Sequence, residues 1–188
     1  MSVVNKDEFR IEKRKILTQI SRGAVYIHPT DTIYGIGCDA TNSKAVKKIR
    51  SVKKRHALPF SVIAPSKDWI RKNCEILPEH EKWLEKLPGP YTLILEIKNK
   101  NAVTPETNLG LKTLGVRMPE HWFSEAAKLL GRPLITTSAN RTGKSFMTAL
   151  ENLDPAVKSG MDFIVYEGEK KGRPSTIVDL TKGKIKKR

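Results

Sequence analysis

The apolar runs of this chain are short, and most are bounded by a proline, a glycine or a hydroxyl-bearing residue. They read AVYIH (24–28), FSVIA (60–64), YTLILEI (91–97), LGVRM (114–118), PLITT (133–137), FIVY (163–166) and STIVDL (175–180). Runs of this length suit strands and are too short for helices. Between them lie segments with helical periodicity. Asp7 to Arg22 places Phe9, Ile16 and Ile20 on one face before Gly23. In the next such segment Asn42 or Ser43 can cap a helix whose Ala45, Ile49 and Val52 form an apolar stripe, with Lys44, Lys47, Lys48 and Lys54 facing elsewhere. Short helices are expected around Trp69 and Trp83, an amphipathic one over Pro119–Leu130, and a broken one over Met147–Val157. Helices alternating with strands predict an α/β fold with a sheet mixed in direction. No internal repeat or linker interrupts residues 1–188, so one domain is expected, with 1–6 and 182–188 as tails.

Charge narrows the partners. Lys+Arg 35 against Asp+Glu 20 gives a formal net charge of +15. The excess clusters in Lys44–Arg55, Lys170–Arg173 and the tail KGKIKKR, which favours a polyanionic partner. Cys38 and Cys74 lack metal-ligand spacing and read as reduced, buried thiols. No signal segment or bilayer-spanning run is present, so a cytoplasmic protein that does not enter membranes is expected.

Three strand ends carry unusual polar sets. Thr30, Asp31 and Thr32 follow the first strand, Thr136 to Asn140 follow PLITT, and Ser175 and Thr176 open the last long strand. Open α/β sheets place ligands in such loops. Each set taken singly has a structural explanation as a cap or turn. Together with Lys53, Arg55 and Arg117 they suggest a site. P-loop, dinucleotide and zinc-protease motifs are absent, as is a nucleophile elbow, and His28, His56, His80 and His121 lack sequence partners for a triad or metal cluster. No metal ligands are therefore assigned. Cations combined with neutral donors suit phosphoryl or nucleotidyl transfer, where positioning and charge neutralisation dominate.

The segments HPTDTIYGIGCDA, Lys53-Lys54-Arg55, PGPYTLIL, LGVRMPEH, TTSAN and GRPSTIVDL, in this order from about Gly23 to Leu180, resemble the YrdC/TsaC family. The resemblance implies a short, single-domain form with a twisted mixed sheet and flanking helices around a basic concave cleft. It further implies a nucleotidyltransferase that makes L-threonylcarbamoyladenylate and pyrophosphate from ATP, L-threonine and bicarbonate, with Mg²⁺ accompanying ATP. The product would serve a downstream threonylcarbamoyl transferase acting on tRNA. By the same resemblance, Lys53, Arg55, Ser138 and Asn140 are catalytic and hold ATP, together with Thr113 and a tail residue, Arg188 or Lys187. Thr32, Arg117, Thr136 and Ser175 fall where relatives bind threonine. Asp31 would contact the amine or magnesium, or simply form the turn. RHALPF (55–60) runs one residue shorter than the family's pattern, so Leu58 or Pro59 stands where a polar ATP contact is common. The rival reading is a non-catalytic protein gripping double-stranded RNA or tRNA, which the basic helix and tail would serve equally well.

Overall fold

The computed structural model describes residues 1–187. Its strands are β1 (Ser2–Val4), β2 (Tyr26–His28), β3 (Gly35–Gly37), β4 (Ser61–Ile63), β5 (Tyr91–Glu96), β6 (Thr113–Arg117), β7 (Leu134–Ser138), β8 (Phe163–Val165), β9 (Thr176–Asp179) and β10 (Lys184–Lys186). They form one sheet in the order β1-β8-β2-β3-β7-β4-β6-β5-β9-β10. The β1/β8, β2/β8, β4/β6 and β5/β9 pairs are parallel and the others antiparallel, so the sheet is mixed as expected. Both ends of the chain depart from the expected tails. Ser2–Val4 pairs with Phe163–Val165, and Lys184–Lys186 pairs with Ile177–Asp179, so open backbone groups at the sheet edges recruit them.

The helix expected over Asp7–Arg22 is two helices, α1 (Lys6–Ile11) and α2 (Lys13–Ser21), broken at Glu12. Asn5 caps α1 in a capping box with Glu8. Helix α3 (Ser43–Lys53) starts where Asn42 accepts from Ala45 N, and it ends at Lys54 in the left-handed region, φ 50°. In place of the broken helix expected over Met147–Val157, a 3₁₀ turn (Leu150–Asn152) precedes a short α-helix, Pro155–Ser159. Cys38 and Cys74 are buried free thiols.

Strand alternation sorts the core into two layers. Ile27, Ile36, Val62, Val116, Ile135, Ile164 and Leu93 point to one face and join Val46 and Ile49 of α3 in the larger cluster. Tyr26, Ile63, Leu134, Phe163 and Val165 point to the other face, under Phe9, Ile16, Ile20 and Phe123. Beyond that cover the second face continues through Gly35, Thr136, Ser138, Ser61 and Gly115, which the register places side by side. Large side chains give way to small and hydroxylic ones, and the sheet is left hollow there.

The covering helices supply a direct test of this layering. Phe9 is 3% exposed and lies 5.3 Å from Trp122 and 5.5 Å from Phe123 between ring centroids, whereas Ile11, on the same helix, is 85% exposed. Phe9→Ala should cost about 3 kcal/mol and Ile11→Ala less than about 0.5 kcal/mol, by urea denaturation. Equal losses would contradict the packing of α1 on this face.

Candidate active site

The hollow is a cavity of about 120 Å³ lined by Thr30, Tyr34, Gly35, Arg55, Ser61, Thr92, Arg117, Thr136, Thr137, Ser138, Phe146, Pro174 and Ser175, among others. Among the described residues its lining contains two guanidiniums, many hydroxyls and no carboxylate. Of the residues expected from the sequence, Arg55, Arg117, Thr136, Ser138 and Ser175 line it together. Thr32, Lys53 and Asn140 are not in its lining but touch residues that are. Thr113, at the outer end of β6 opposite Glu96, does not reach it. Arg188 lies outside the described residues, while Lys187 is exposed.

The basic cluster Lys44–Arg55 is largely tied up within the protein. Lys47 pairs with Glu106 at 3.2 Å and Lys48 with Asp162 at 3.0 Å. Arg50 is buried and donates to the carbonyls of Glu106 (2.7 Å), Arg55 (2.8 Å), Leu58 (3.1 Å) and Thr107 (3.3 Å). It thereby closes the shortened loop, which Arg55 also grips through Pro59 O at 2.7 Å. Lys53 was expected to face a ligand, but it is 1% exposed. Its Nζ donates to the carbonyl oxygens of Ser138 and Asn140 and to Asn140 Oδ1. Asn140 Oδ1 also accepts from Ser138 Oγ, so Lys53 fixes the loop that presents Ser138. From this helix end and loop, Arg55 and Ser138 reach the cavity.

Arg117 is oriented from behind. Its Nη2 donates to Asp31 Oδ1 at 2.7 Å and to Thr32 Oγ1 at 3.3 Å, while Asp31 Oδ2 accepts from Glu120 N at 3.1 Å. Asp31 is therefore an orienting group for Arg117, and neither an amine nor a magnesium contact is needed to explain it. Thr30 Oγ1 organises the same turn by accepting from Thr32 N and Ile33 N. Ser175 Oγ lies 2.7 Å from Thr92 Oγ1.

Ser175 arrives on a strap, residues 166–175, that was not foreseen. Glu167 accepts from Trp122 Nε1 at 2.7 Å, pairs with Lys170 at 2.6 Å and lies 2.9 Å from His121 Nε2. Burial opposes ionisation of Glu167, but bonds from Lys170, Trp122 and His121 hold its carboxyl below the usual range. Tyr34 OH donates to Gly168 O at 2.6 Å. Gly172 then passes so close to the PTDT turn that a Cβ there would lie 2.0 Å from Thr32 O, which only glycine permits. His28, buried beside Gly35, is held near pKa 3 by desolvation and stays neutral. Ser61 and Phe146 carry no sequence signal that separates them from ordinary strand and loop residues, and Tyr34 and Thr92, though inside HPTDTIYGIGCDA and PGPYTLIL, were given no role there.

Burial, reinforced by the nearby Arg55 charge, pushes the Lys53 ammonium down to about 7, against the pull of its three oxygen acceptors. The unfolded chain then binds the proton more tightly between that value and the ordinary lysine value, so this group's contribution to stability rises with pH across the interval and is lost as pH falls to about 7. Relative to Lys53→Met, the wild-type protein should gain stability between pH ~7 and ~10 in urea titrations. A difference independent of pH would refute the shift.

Comparison with known proteins agrees with this architecture. The Sua5/YciO/YrdC family model, described as telomere recombination, matches residues 18–187. A Methanocaldococcus jannaschii protein is 33% identical over 181 residues, covering 93% of this chain and 84% of its own length. The threonylcarbamoyl-AMP synthase of Pyrococcus abyssi is 33% identical over 190 residues, covering 96% of this chain and 55% of the relative. The crystal structure of P. abyssi Sua5 complexed with L-threonine superposes with a TM-score of 0.85 at 30% identity, covering 98% of this chain and 55% of that one. The chain thus spans about half the length of the P. abyssi protein. Among the described residues no helix is long and apolar enough to cross a membrane. The match across nearly its whole length and the shared fold place this chain in the Sua5/YciO/YrdC family.

Proposed function

We propose that the protein is a threonylcarbamoyl-AMP synthase, a nucleotidyltransferase that forms L-threonylcarbamoyladenylate and pyrophosphate from L-threonine, bicarbonate or CO2, and ATP. The observation that carries the reading is the cavity itself, where, among the described residues, two guanidiniums and a set of hydroxyls face each other without any carboxylate. Such a lining suits two anionic substrates that must meet despite their repulsion. In this reading the α-carboxylate of threonine lies against Arg117, whose plane Asp31 and Thr32 hold, in the bidentate manner guanidinium favours. Thr32, Thr136 and Ser175 surround the amino acid. The triphosphate lies towards Arg55 and Ser138, with Lys53 and Asn140 shaping that loop from behind.

The amine of threonine adds to CO2 and loses a proton to form a carbamate. A carbamate oxygen attacks the α-phosphorus of ATP, the bond to the β-phosphate oxygen breaks, and pyrophosphate leaves. Arg55 offsets charge on the phosphates, and enclosure of the cavity limits loss of CO2 from the carbamate. Among the described residues no group of three or more His, Cys, Asp or Glu could hold a metal ion. Magnesium therefore enters this proposal with ATP, neutralising the phosphates. The product would pass to a threonylcarbamoyl transferase acting on tRNA in the cytoplasm. An RNA-gripping role has little use for hydroxyls converging on one cavity, and nothing in the lining favours it.

Pyrophosphate release should require ATP, magnesium, bicarbonate and threonine together, and should need no RNA. Release that is indifferent to threonine, or that depends on RNA, would defeat the proposal. Arg55→Ala should weaken ATP binding by about 1.5–3 kcal/mol with the fold intact by circular dichroism, and Lys44→Ala should leave it unchanged. Equal affinities of the wild-type protein and Arg55→Ala for ATP would remove Arg55 from the phosphate site.

A further inference from the structure

Most hydroxyls in and around the cavity are bonded within the protein. Thr30 and Thr32 bond each other, Thr92 and Ser175 lie 2.7 Å apart, Thr137 accepts from Arg55 and Ser138 donates to Asn140. Ser61 and Thr136 are exceptions: among the described residues, neither hydroxyl makes a hydrogen bond. The two residues are register partners on β4 and β7, and both line the cavity. On its other side Ser61 is the register partner of Gly115 on β6. A Cβ at Gly115 would stand 2.6 Å from Ser61 Oγ and 3.5 Å from Thr92 Cγ2. The missing side chain at Gly115 is therefore what lets the Ser61 hydroxyl lie over that glycine with the Thr92 methyl beside it, and Ser61 and Thr92 both line the cavity.

This pairing has a definite chemical preference. An unpartnered hydroxyl beside a methyl at the cavity wall suits a ligand group that itself carries a hydroxyl next to a methyl. The amino-acid substrate of the proposed reaction has such a side chain. We infer that Ser61, seated over Gly115, is the specificity-determining element that reads the side-chain hydroxyl of the amino-acid substrate, in company with Thr136. The inference rests on the proposed synthase reading and adds residues to which no role was given from the sequence. Leaving a cavity hydroxyl unpaired when a substrate lacks the matching group is the strongest form of discrimination such a pocket has.

The test compares L-threonine with L-2-aminobutyrate, which has the same skeleton without the hydroxyl. Affinities of the wild-type protein, Ser61→Ala and Gly115→Ala are measured by calorimetry for threonine and by competition with threonine for 2-aminobutyrate. Ser61→Ala should weaken threonine about 3- to 10-fold and change 2-aminobutyrate by less than about twofold, because only the former bonds the lost hydroxyl. Gly115→Ala, whose Cβ would stand 2.6 Å from Ser61 Oγ and push that hydroxyl aside, should weaken threonine more than 2-aminobutyrate. Unchanged threonine binding in Ser61→Ala, or an equal loss for both ligands, overturns the assignment of Ser61 while leaving the synthase reading in place. Wild-type protein that binds neither amino acid and releases no pyrophosphate overturns both.

Discussion

Strand register is the constraint from which the rest of this molecule follows. Side chains along a strand alternate between the two faces, so a slip of one residue would send every side chain to the wrong side. In β7 the alternation separates Leu134, Thr136 and Ser138 from Ile135 and Thr137, and its partners β3 and β4 set Gly35 against Ser138 and Ser61 against Thr136. Apolar residues on the first face, such as Val62, Ile135 and Val116, make any slip costly because it would expose them. Core packing on one face thus holds the row of small and hydroxylic residues on the other in line. The cavity is a by-product of a well-packed layer beneath it.

Positive charge in this protein does two different jobs. Arg50 and Lys53 are buried and bonded to backbone carbonyls of the loops at 55–58, 106–107 and 138–140. Removing water from a cation is costly unless oxygen atoms replace it, so these loops are held in the one arrangement that supplies those oxygens. Arg55 and Arg117 stand at the cavity, each partly held by protein acceptors that set its direction. Many of the remaining lysines lie at the surface, where single charges contribute little to the fold. The net charge of +15 therefore says less about the site than the burial of a few particular cations.

The strap over residues 166–175 links the site to the helical cover on the same face of the sheet. Glu167 ties it to His121 and Trp122 near the apolar cluster around Phe9, and Gly172 lets it press on the turn that orients Arg117. Ser175 and Pro174 reach the cavity as a result. Threonine-turn geometry, arginine direction and strap position are consequently coupled through contacts and not through a shared element of secondary structure.

By itself the sequence determined the fold class. The short bounded apolar runs and the helical periodicities between them foretold the mixed α/β sheet and most strand positions, because those patterns record local geometry and burial. It also marked Arg55, Arg117, Thr136, Ser138 and Ser175, which the structure brings to one cavity, because charged and hydroxylic residues at strand ends stand out against an apolar background. Pairing of the chain ends was not legible, since Ser2–Val4 and Lys184–Lys186 are only three residues long and their pairing depends on open backbone groups at the sheet edges. Only the tertiary structure decided that Lys53 supports a loop from within, that Asp31 steers Arg117, and that Ser61 and Thr92 meet over Gly115. Those relations join residues far apart in the chain, through distances set by how strands pair and side chains pack, and a linear pattern does not encode them.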